Sequence, residues 1–212
     1  MKKKDFLSIV FLVGIISFLL YEPTQEIFKA FNGSHPYIAG FLKFAVLATF
    51  GDLLAGRIVN KDWIKPKGLF FRSFIWGFLG VVIVLIFKVY AIGIKNVINL
   101  GLLPGKNSQL AFAFFTSAVM NLTFAPSMMA FHRFTDTYAD LKFGLKKSSV
   151  SASMIVTEID WKGFVTFVIF KTVPLFWIPA HTITFLLPAE FRVLMAAFLS
   201  IALGAILSFA KK

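Results

Sequence analysis

The sequence has no cysteine among its 212 residues. Disulfide bonds, catalytic thiolates and cysteine-ligated metal centres are therefore excluded. Only three histidines occur, and no His-Glu-x-x-His pattern is present. His132 and His181 have no second histidine or acid near them in an apolar segment, so we interpret them as polar contacts within a bundle or at its surface. We expect no metal and no cofactor.

Charged residues are also scarce. They make up 15% of the chain, whereas a soluble domain carries about 25%. Hydrophobic residues reach 58%, aromatic residues 17%, and the mean hydropathy of +0.81 extends over the whole length. This composition predicts an integral protein with several membrane segments and excludes a soluble domain.

Acidic residues are the scarcest charged class. Ten Asp and Glu face 22 Lys and Arg, which gives a net charge of +12. The basic residues cluster in short loops and near the termini, where they indicate topology and contact with anionic lipid headgroups. The expected partner is therefore the lipid bilayer, and nucleic acid is not expected.

Six apolar segments are long enough, or nearly long enough, to cross a bilayer as helices. They are Phe6–Leu20, Tyr37–Val59, Leu69–Ile94, Leu110–Phe134, Trp161–Leu187 and Ala189–Ala210. We expect an all-α, polytopic transmembrane helical bundle with five to six membrane segments and both termini on one side. Pro126 interrupts the fourth segment, and Pro174 and Pro179 predict a kinked penultimate segment. If that segment is re-entrant, the number of crossings is five.

The N-terminal stretch is predicted to differ from the rest. Residues 1–34 contain an uncleaved hydrophobic helix and a short interfacial segment, because no small-residue cleavage site follows the apolar run. Residues 35–212 are predicted to form the bundle. In the last segment Ala196, Ser200, Gly204 and Ser208 recur every four residues, which is typical of a helix-packing face.

Ionisable and polar residues inside apolar segments are the candidate functional positions, because a charge in a membrane span normally faces a bundle interior and finds a partner. Asp52 is the only acid deep within such a segment, and we expect it to pair with Arg72 or Lys88. Candidates for a pore or polar interior are Asp52, Lys43, Arg72, Lys88, Asn121, Lys171, His181 and Arg192. For Arg72 and Lys171 the alternative is a side chain that reaches the headgroups along its stem.

Enzymatic motifs are absent. Gly101-Leu-Leu-Pro-Gly-Lys106 resembles a phosphate-binding loop, but it is one residue short and lacks Ser or Thr after the lysine. No apolar segment carries paired carboxylates. We therefore expect no catalytic residues and no enzyme.

Several motifs resemble those of the twenty-two-kilodalton peroxisomal membrane protein family, which includes the mitochondrial Mpv-seventeen relatives. His35-Pro36 and Gly51-Asp52 look like its opening pairs, Gly77-x-x-Gly80 like its Gly-x-x-Gly, and Phe124-Ala-Pro126 like its Phe-x-Pro. The C-terminal signature is represented by Trp177, Pro179, Pro188 and Arg192. Met120-Asn121 replaces the family's Asp-Gln pair, and Pro179 and Pro188 lie closer together than usual. The resemblance implies a small helical membrane protein with weakly selective channel activity, in the mitochondrial inner membrane or alternatively a bacterial inner or peroxisomal membrane.

Two functions follow as hypotheses. The first is a weakly selective small-solute or ion conduit, in which Asp52 sets the constriction and a surplus of cationic lining favours anions. The second is a non-catalytic structural or accessory subunit of a larger membrane complex, or a homo-oligomer, to which the 28 phenylalanines and the small-residue face would contribute packing.

Overall fold

The computed structural model describes residues 3–210, with side chains as far as residue 206. Predictions that concern Lys211, Lys212 and the side chain of Ser208 lie outside this part. Within it the chain is helical, with no strand. The helices are α1 (Lys3–Leu20), α2 (Glu22–Ser34), α3 (Pro36–Asn60), α4 (Leu69–Asn99), α5 (Gln109–Thr123), α6 (Ala125–Ala139), α7 (Ala152–Glu158), α8 (Trp161–Leu186) and α9 (Ala189–Ala210).

Four of these helices, α3, α4, α8 and α9, are long and apolar enough to cross a membrane. The pair α1 and α2, bent by 83°, and the pair α5 and α6, bent by 46°, raise the number to six if each pair is one span. The predicted all-α fold with several helices of membrane-spanning length is confirmed. The choice between five and six crossings stays a prediction.

The bend between α5 and α6 falls at Phe124, two residues before Pro126. Proline lacks a backbone N–H and is tolerated in the first turn of a helix, and Pro126 lies in the first turn of α6. Beyond Ala139 the chain adds a π-helical turn, Asp140–Gly144.

Helix α8 changes type along its length. Trp161–Gly163 is α-helical, Phe164–Trp177 is π-helical and contains Pro174, and Ile178–Leu186 is α-helical with Pro179 in its first turn. The Thr172 hydroxyl donates to the Phe167 carbonyl five residues earlier, at 3.2 Å. The prolines thus coincide with a change of helix type, and the predicted kink stays a prediction.

Long-range polar contacts bring several helix ends together at one end of the bundle, which we call the basic end. Arg57, near the end of α3, pairs with Asp5 of α1 at 2.8 Å, and Trp63 donates to the same carboxylate at 2.7 Å. Arg72, near the start of α4, pairs with Asp136 of α6 at 2.7 Å. These contacts place the start of α1 beside the end of α3, and the start of α4 beside the end of α6, while the predicted placement of both termini on one side stays a prediction.

Helices α3 and α4 approach each other closely at their glycines. A Cβ on Gly80 would lie 2.3 Å from the Gly40 carbonyl oxygen, and a Cβ on Gly77 would lie 2.5 Å from the Phe41 ring. Gly51 meets Ile201 of α9 in a similar way, with 3.1 Å from its built Cβ to the Ile201 Cα. Small residues therefore let three helices pack at short distance, as membrane helix interfaces generally require.

The N-terminal helices contact this bundle. Ile15, Leu19 and Phe28 pack against the main core, and the Phe28 ring stacks on Phe191 of α9 at 6.0 Å between centroids. Helix α2 ends at Ser34 and α3 begins at Pro36, and the division predicted at residues 34 and 35 stays a prediction.

Candidate functional site

An interior cavity of about 350 Å³ lies between α3, α4, α5, α6, α8 and α9. Its walls are apolar and aromatic over most of their area, and its polar groups form two clusters. Among the apolar lining residues are Phe44, Leu79, Ile83, Phe87, Met120 and Phe124. This volume is at the lower end of the range for small-molecule pockets, which begins at about 300 Å³.

The first polar group, which we call the Asp52 cluster, consists of Asp52, Trp76, His132, Asp136 and Arg72. The Trp76 indole N–H donates to Oδ2 of Asp52 at 2.7 Å, and its ring lies 4.1 Å from the His132 ring. His132 Nδ1 lies 3.6 Å from Asp136 Oδ2. The cluster joins α3, α4 and α6 near the basic end.

The predicted pairing of Asp52 with Arg72 or Lys88 is not what the structure has. Arg72 binds Asp136 at 2.7 Å and Asp140 at 2.5 Å, and its side chain is 12% exposed. Asp52 receives the indole N–H of Trp76 instead, and its side chain is exposed at the cavity. Asp136 of α6 and Asp140 of the π-helical turn that follows thus bind the arginine in place of Asp52.

The second polar group, which we call the His181 cluster, consists of Ser117, Asn121 and His181. Ser117 and Asn121 have no exposed surface, and His181 is 8% exposed. The Asn121 amide donates to the Ser117 carbonyl at 2.8 Å, and the Ser117 hydroxyl donates to the Ile178 carbonyl at 2.7 Å. These bonds connect α5 to α8 where α8 changes from π- to α-helix.

The tautomer of His181 follows from these bonds. Because the Asn121 nitrogen is already a donor, its Oδ1 accepts from His181 Nδ1–H at 3.1 Å. The neutral ring then keeps Nε2 as an acceptor. Within the described residues Nε2 has no hydrogen-bond partner. It is not among the fully buried side-chain nitrogen and oxygen atoms that lack a partner, which are Thr49 Oγ1 and Trp177 Nε1. Nε2 therefore retains accessible surface, and His181 lines the cavity.

Trp177 lies beside this cluster and also lines the cavity. Its ring stacks on His181 with 5.1 Å between centroids and 23° between planes. The stacking holds the imidazole plane, so Trp177 acts as a positioning residue for His181.

Other predicted cations lie away from the cavity. Lys43 donates to Asn32 and lies 5.3 Å from the Phe28 ring, so it joins α3 to α2. Arg192 donates to the Leu187 carbonyl at 3.0 Å and lies over the Phe185 ring at 5.5 Å. Lys88 and Lys171 are exposed, and within the described residues neither has a hydrogen bond or an ion pair. The predicted surplus of cationic lining, and with it the anion preference, loses its structural basis.

The residues of the family resemblance lie at packing contacts and turns as well as at the cavity. Gly51, Gly77 and Gly80 are helix contacts, while Asp52 and Trp177 line the cavity. The remaining positions begin helices or turns: His35, Pro36, Pro126, Pro179 and Pro188.

Sequence reasoning missed two polar residues of the cavity, Asp136 and Trp76. Asp136 lies four residues after His132, a spacing that places two side chains on one helix face. Trp76 carries an indole N–H inside an apolar segment, and such a group normally finds an acceptor when it is buried. Both signals were available. No group of three potential metal ligands occurs in the described part of the chain.

Comparisons with known proteins give no relative. No protein-family model, no curated protein and no solved structure matches the chain. The resemblance to the twenty-two-kilodalton peroxisomal membrane protein family therefore stays a prediction based on the motif residues.

Proposed function

We propose that this chain is a weakly selective small-solute conduit whose path passes through the interior cavity. The observation that carries the proposal is the cavity itself, which extends from the Asp52 cluster to the His181 cluster within a membrane-type bundle. Ionisable groups at the interior of such bundles generally mark a substrate or ion path.

In this conformation the proposed path would be closed beyond the His181 cluster. Thr116, Thr184 and Phe185 have no exposed surface there, and they fill the contact between α5 and α8. Passage would require α8 to move against α5. The π-helical part of α8 lines the cavity through Phe164, Val168 and Thr172. π-Helical turns are rare and occur frequently at functional sites, which is consistent with a moving element here.

Transport by purified protein in liposomes tests this proposal. Ser200→Phe places a ring in the cavity, and Ala202→Phe places the same ring on an exposed position of the same helix. We expect efflux of a small solute from wild-type and Ala202→Phe liposomes. Efflux with Ser200→Phe should be at least about tenfold slower, which corresponds to a barrier to passage that is higher by only about 1.4 kcal/mol. Equal rates for the two variants would contradict a path through the cavity.

A second candidate function is an accessory subunit, favoured by one observation. Lys171 of α8 is exposed, lies ten residues after Trp161, and makes no hydrogen bond or ion pair within the described residues. Phe170 and Leu175 beside it are 69% and 76% exposed. A carboxylate of another subunit would form an ion pair with the Lys171 ammonium group, because charges in a membrane span are normally paired.

Native gels of mild detergent extracts distinguish the second candidate from the first. A subunit should migrate as a larger complex that Lys171→Met dissociates and Lys162→Met, a change of the exposed lysine nine residues earlier, leaves intact. Migration of the wild type as a single chain would rule this candidate out.

A further inference from the structure

The charges around the cavity leave one carboxylate without a cation. Oδ2 of Asp52 accepts from Trp76, while Oδ1 has no partner in the described structure. Arg72 is engaged by Asp136 and Asp140. Arg133 also lines the cavity, but it is exposed and makes no ion pair with Asp52. The potential next to Asp52 therefore favours a positive ligand group.

Aromatic rings accompany this carboxylate. Trp76 is held against Asp52 by its indole N–H, and Phe44 lies 6.4 Å from the Trp76 ring with its plane inclined by only 30°. Both rings line the cavity. Aromatic faces attract ammonium groups, and the attraction increases where water is excluded.

The rest of the cavity fits an apolar body. Phe87, Phe124 and Phe164 contribute rings, and Met120, Met128 and Met129 contribute flexible thioethers, a residue type common at adaptable binding surfaces. At the far end the accessible polar atom is an acceptor, Nε2 of His181. A ligand that donates hydrogen bonds is therefore accommodated, and an anion finds no donor cluster at this end.

We infer that the cavity binds an organic ammonium ion with an apolar body about the size of an alkylbenzene, the ammonium group lying at Asp52 and the body along the aromatic wall. This assignment deepens the proposed conduit by naming its solute class, and it rests on that proposal for passage but not for binding. Three compounds with one common body test the charge directly: 4-phenylbutylamine, 4-phenylbutanol and 4-phenylbutyrate.

Binding is measured by titrating the full-length protein in nanodiscs of zwitterionic lipid near neutral pH and following tryptophan fluorescence. Trp76 and Trp177 line the cavity, whereas Trp63 and Trp161 do not. We expect the amine to bind at least about tenfold more tightly than the alcohol, because a hydrogen bond between charged groups is stronger than one with a neutral hydroxyl. The carboxylate should bind more weakly than either.

Two variants make the result specific. Asp52→Asn should remove the preference of amine over alcohol while leaving alcohol binding within about twofold, since the apolar walls are unchanged. Ser200→Phe should weaken all three compounds, and Ala202→Phe should bind them as the wild type does. Equal wild-type affinity for amine and alcohol, or a preference for the amine that persists in Asp52→Asn, would overturn the assignment.

The liposome assay separates this inference from the proposed function. Amine binding without efflux would support the site and reject the conduit. Efflux that Ser200→Phe slows, without any preference for the amine, would support the conduit and reject the assigned solute class.

Discussion

Asn121 illustrates how one buried side chain connects several parts of this molecule. Its amide group bonds the Ser117 carbonyl and the His181 ring, and none of its surface is exposed. A buried polar group in hydrocarbon is costly unless its partners are in place, so this residue fixes the relative positions of α5 and α8.

Replacing Asn121 by alanine should lower the free energy of unfolding by about 1–3 kcal/mol, because His181 Nδ1 loses its acceptor within the protein. Thr137→Ala is the control, since the Thr137 hydroxyl is bonded to its own helix at the Arg133 carbonyl and lies at the exposed side of the bundle. It should change stability by less than about 0.5 kcal/mol. Unfolding in mixed detergent micelles measures both. An Asn121→Ala protein as stable as the control would contradict the role given to this cluster.

Arg72→Met should also destabilise the protein, by about 1–3 kcal/mol, because it leaves Asp136 and Asp140 facing one another without their cation. The estimate stays below that for a fully buried pair because the Asp140 side chain is 73% exposed. Arg133→Met removes an exposed arginine whose side chain makes no hydrogen bond or ion pair within the described residues, and it should be neutral within about 0.5 kcal/mol. The same unfolding assay measures both variants. Equal effects of the two changes would contradict a stabilising role for the ion pairs of Arg72 with Asp136 and Asp140.

The sequence predicted the site only in part at this scale. Asp52, Asn121 and His181 do line the cavity, since a polar residue in a membrane span normally faces the interior of the bundle. Lys88 and Lys171 were grouped with them but lie on the outside. In a membrane helix the lipid-facing and core-facing sides are both apolar, so periodicity does not indicate which way a given residue points.

At the scale of helices, composition and length predicted most of the fold. The predicted start of the third segment, Leu69, is the observed start of α4, although that helix continues to Asn99. The fourth segment is divided near Pro126, as its sequence indicated. The π-helical part of α8, which contains Pro174, was not predicted, because i to i+5 bonding has no simple composition signal.

The contact of α3 with α4 gives a prediction at this scale. Gly80→Val should destabilise the bundle by at least about 1–3 kcal/mol, because its side chain would meet the Gly40 backbone. Gly93→Val changes the same helix at a position where a Cβ meets nothing within 4 Å, so it provides a matched control for β-branching. Thermal stability in detergent compares the two. If Gly93→Val were the more damaging change, the close crossing would not be the determining feature.

For the whole molecule, the ion pairs define which loops share a side. The loop after α3 and the loop after α6 lie at the basic end, whereas the loop between α4 and α5 lies at the other. Because the chain has no cysteine, single cysteines can be introduced without any background reaction.

Lys65→Cys and Lys146→Cys should react with a membrane-impermeant maleimide from the same side of sealed vesicles, and Lys106→Cys only from the opposite side. The positive-inside rule predicts that the first two face the cytoplasm or its topological equivalent. Labelling yield with and without membrane permeabilisation measures this. Reaction of all three cysteines from one side would contradict an α4 that crosses the membrane.

The glycine crossing also has a mechanical consequence. Gly40 and Gly80 form a point where two long helices touch backbone to backbone, and Asp52 lies twelve residues farther along α3, a lever arm of about 18 Å. A scissor-like rotation of about 5° around this pivot would displace the Asp52 carboxylate by about 1.6 Å, which is enough to separate it from the Trp76 indole. The glycines that allow these helices to pack closely therefore also fix the pivot of a rotation that would open the Asp52 end of the cavity.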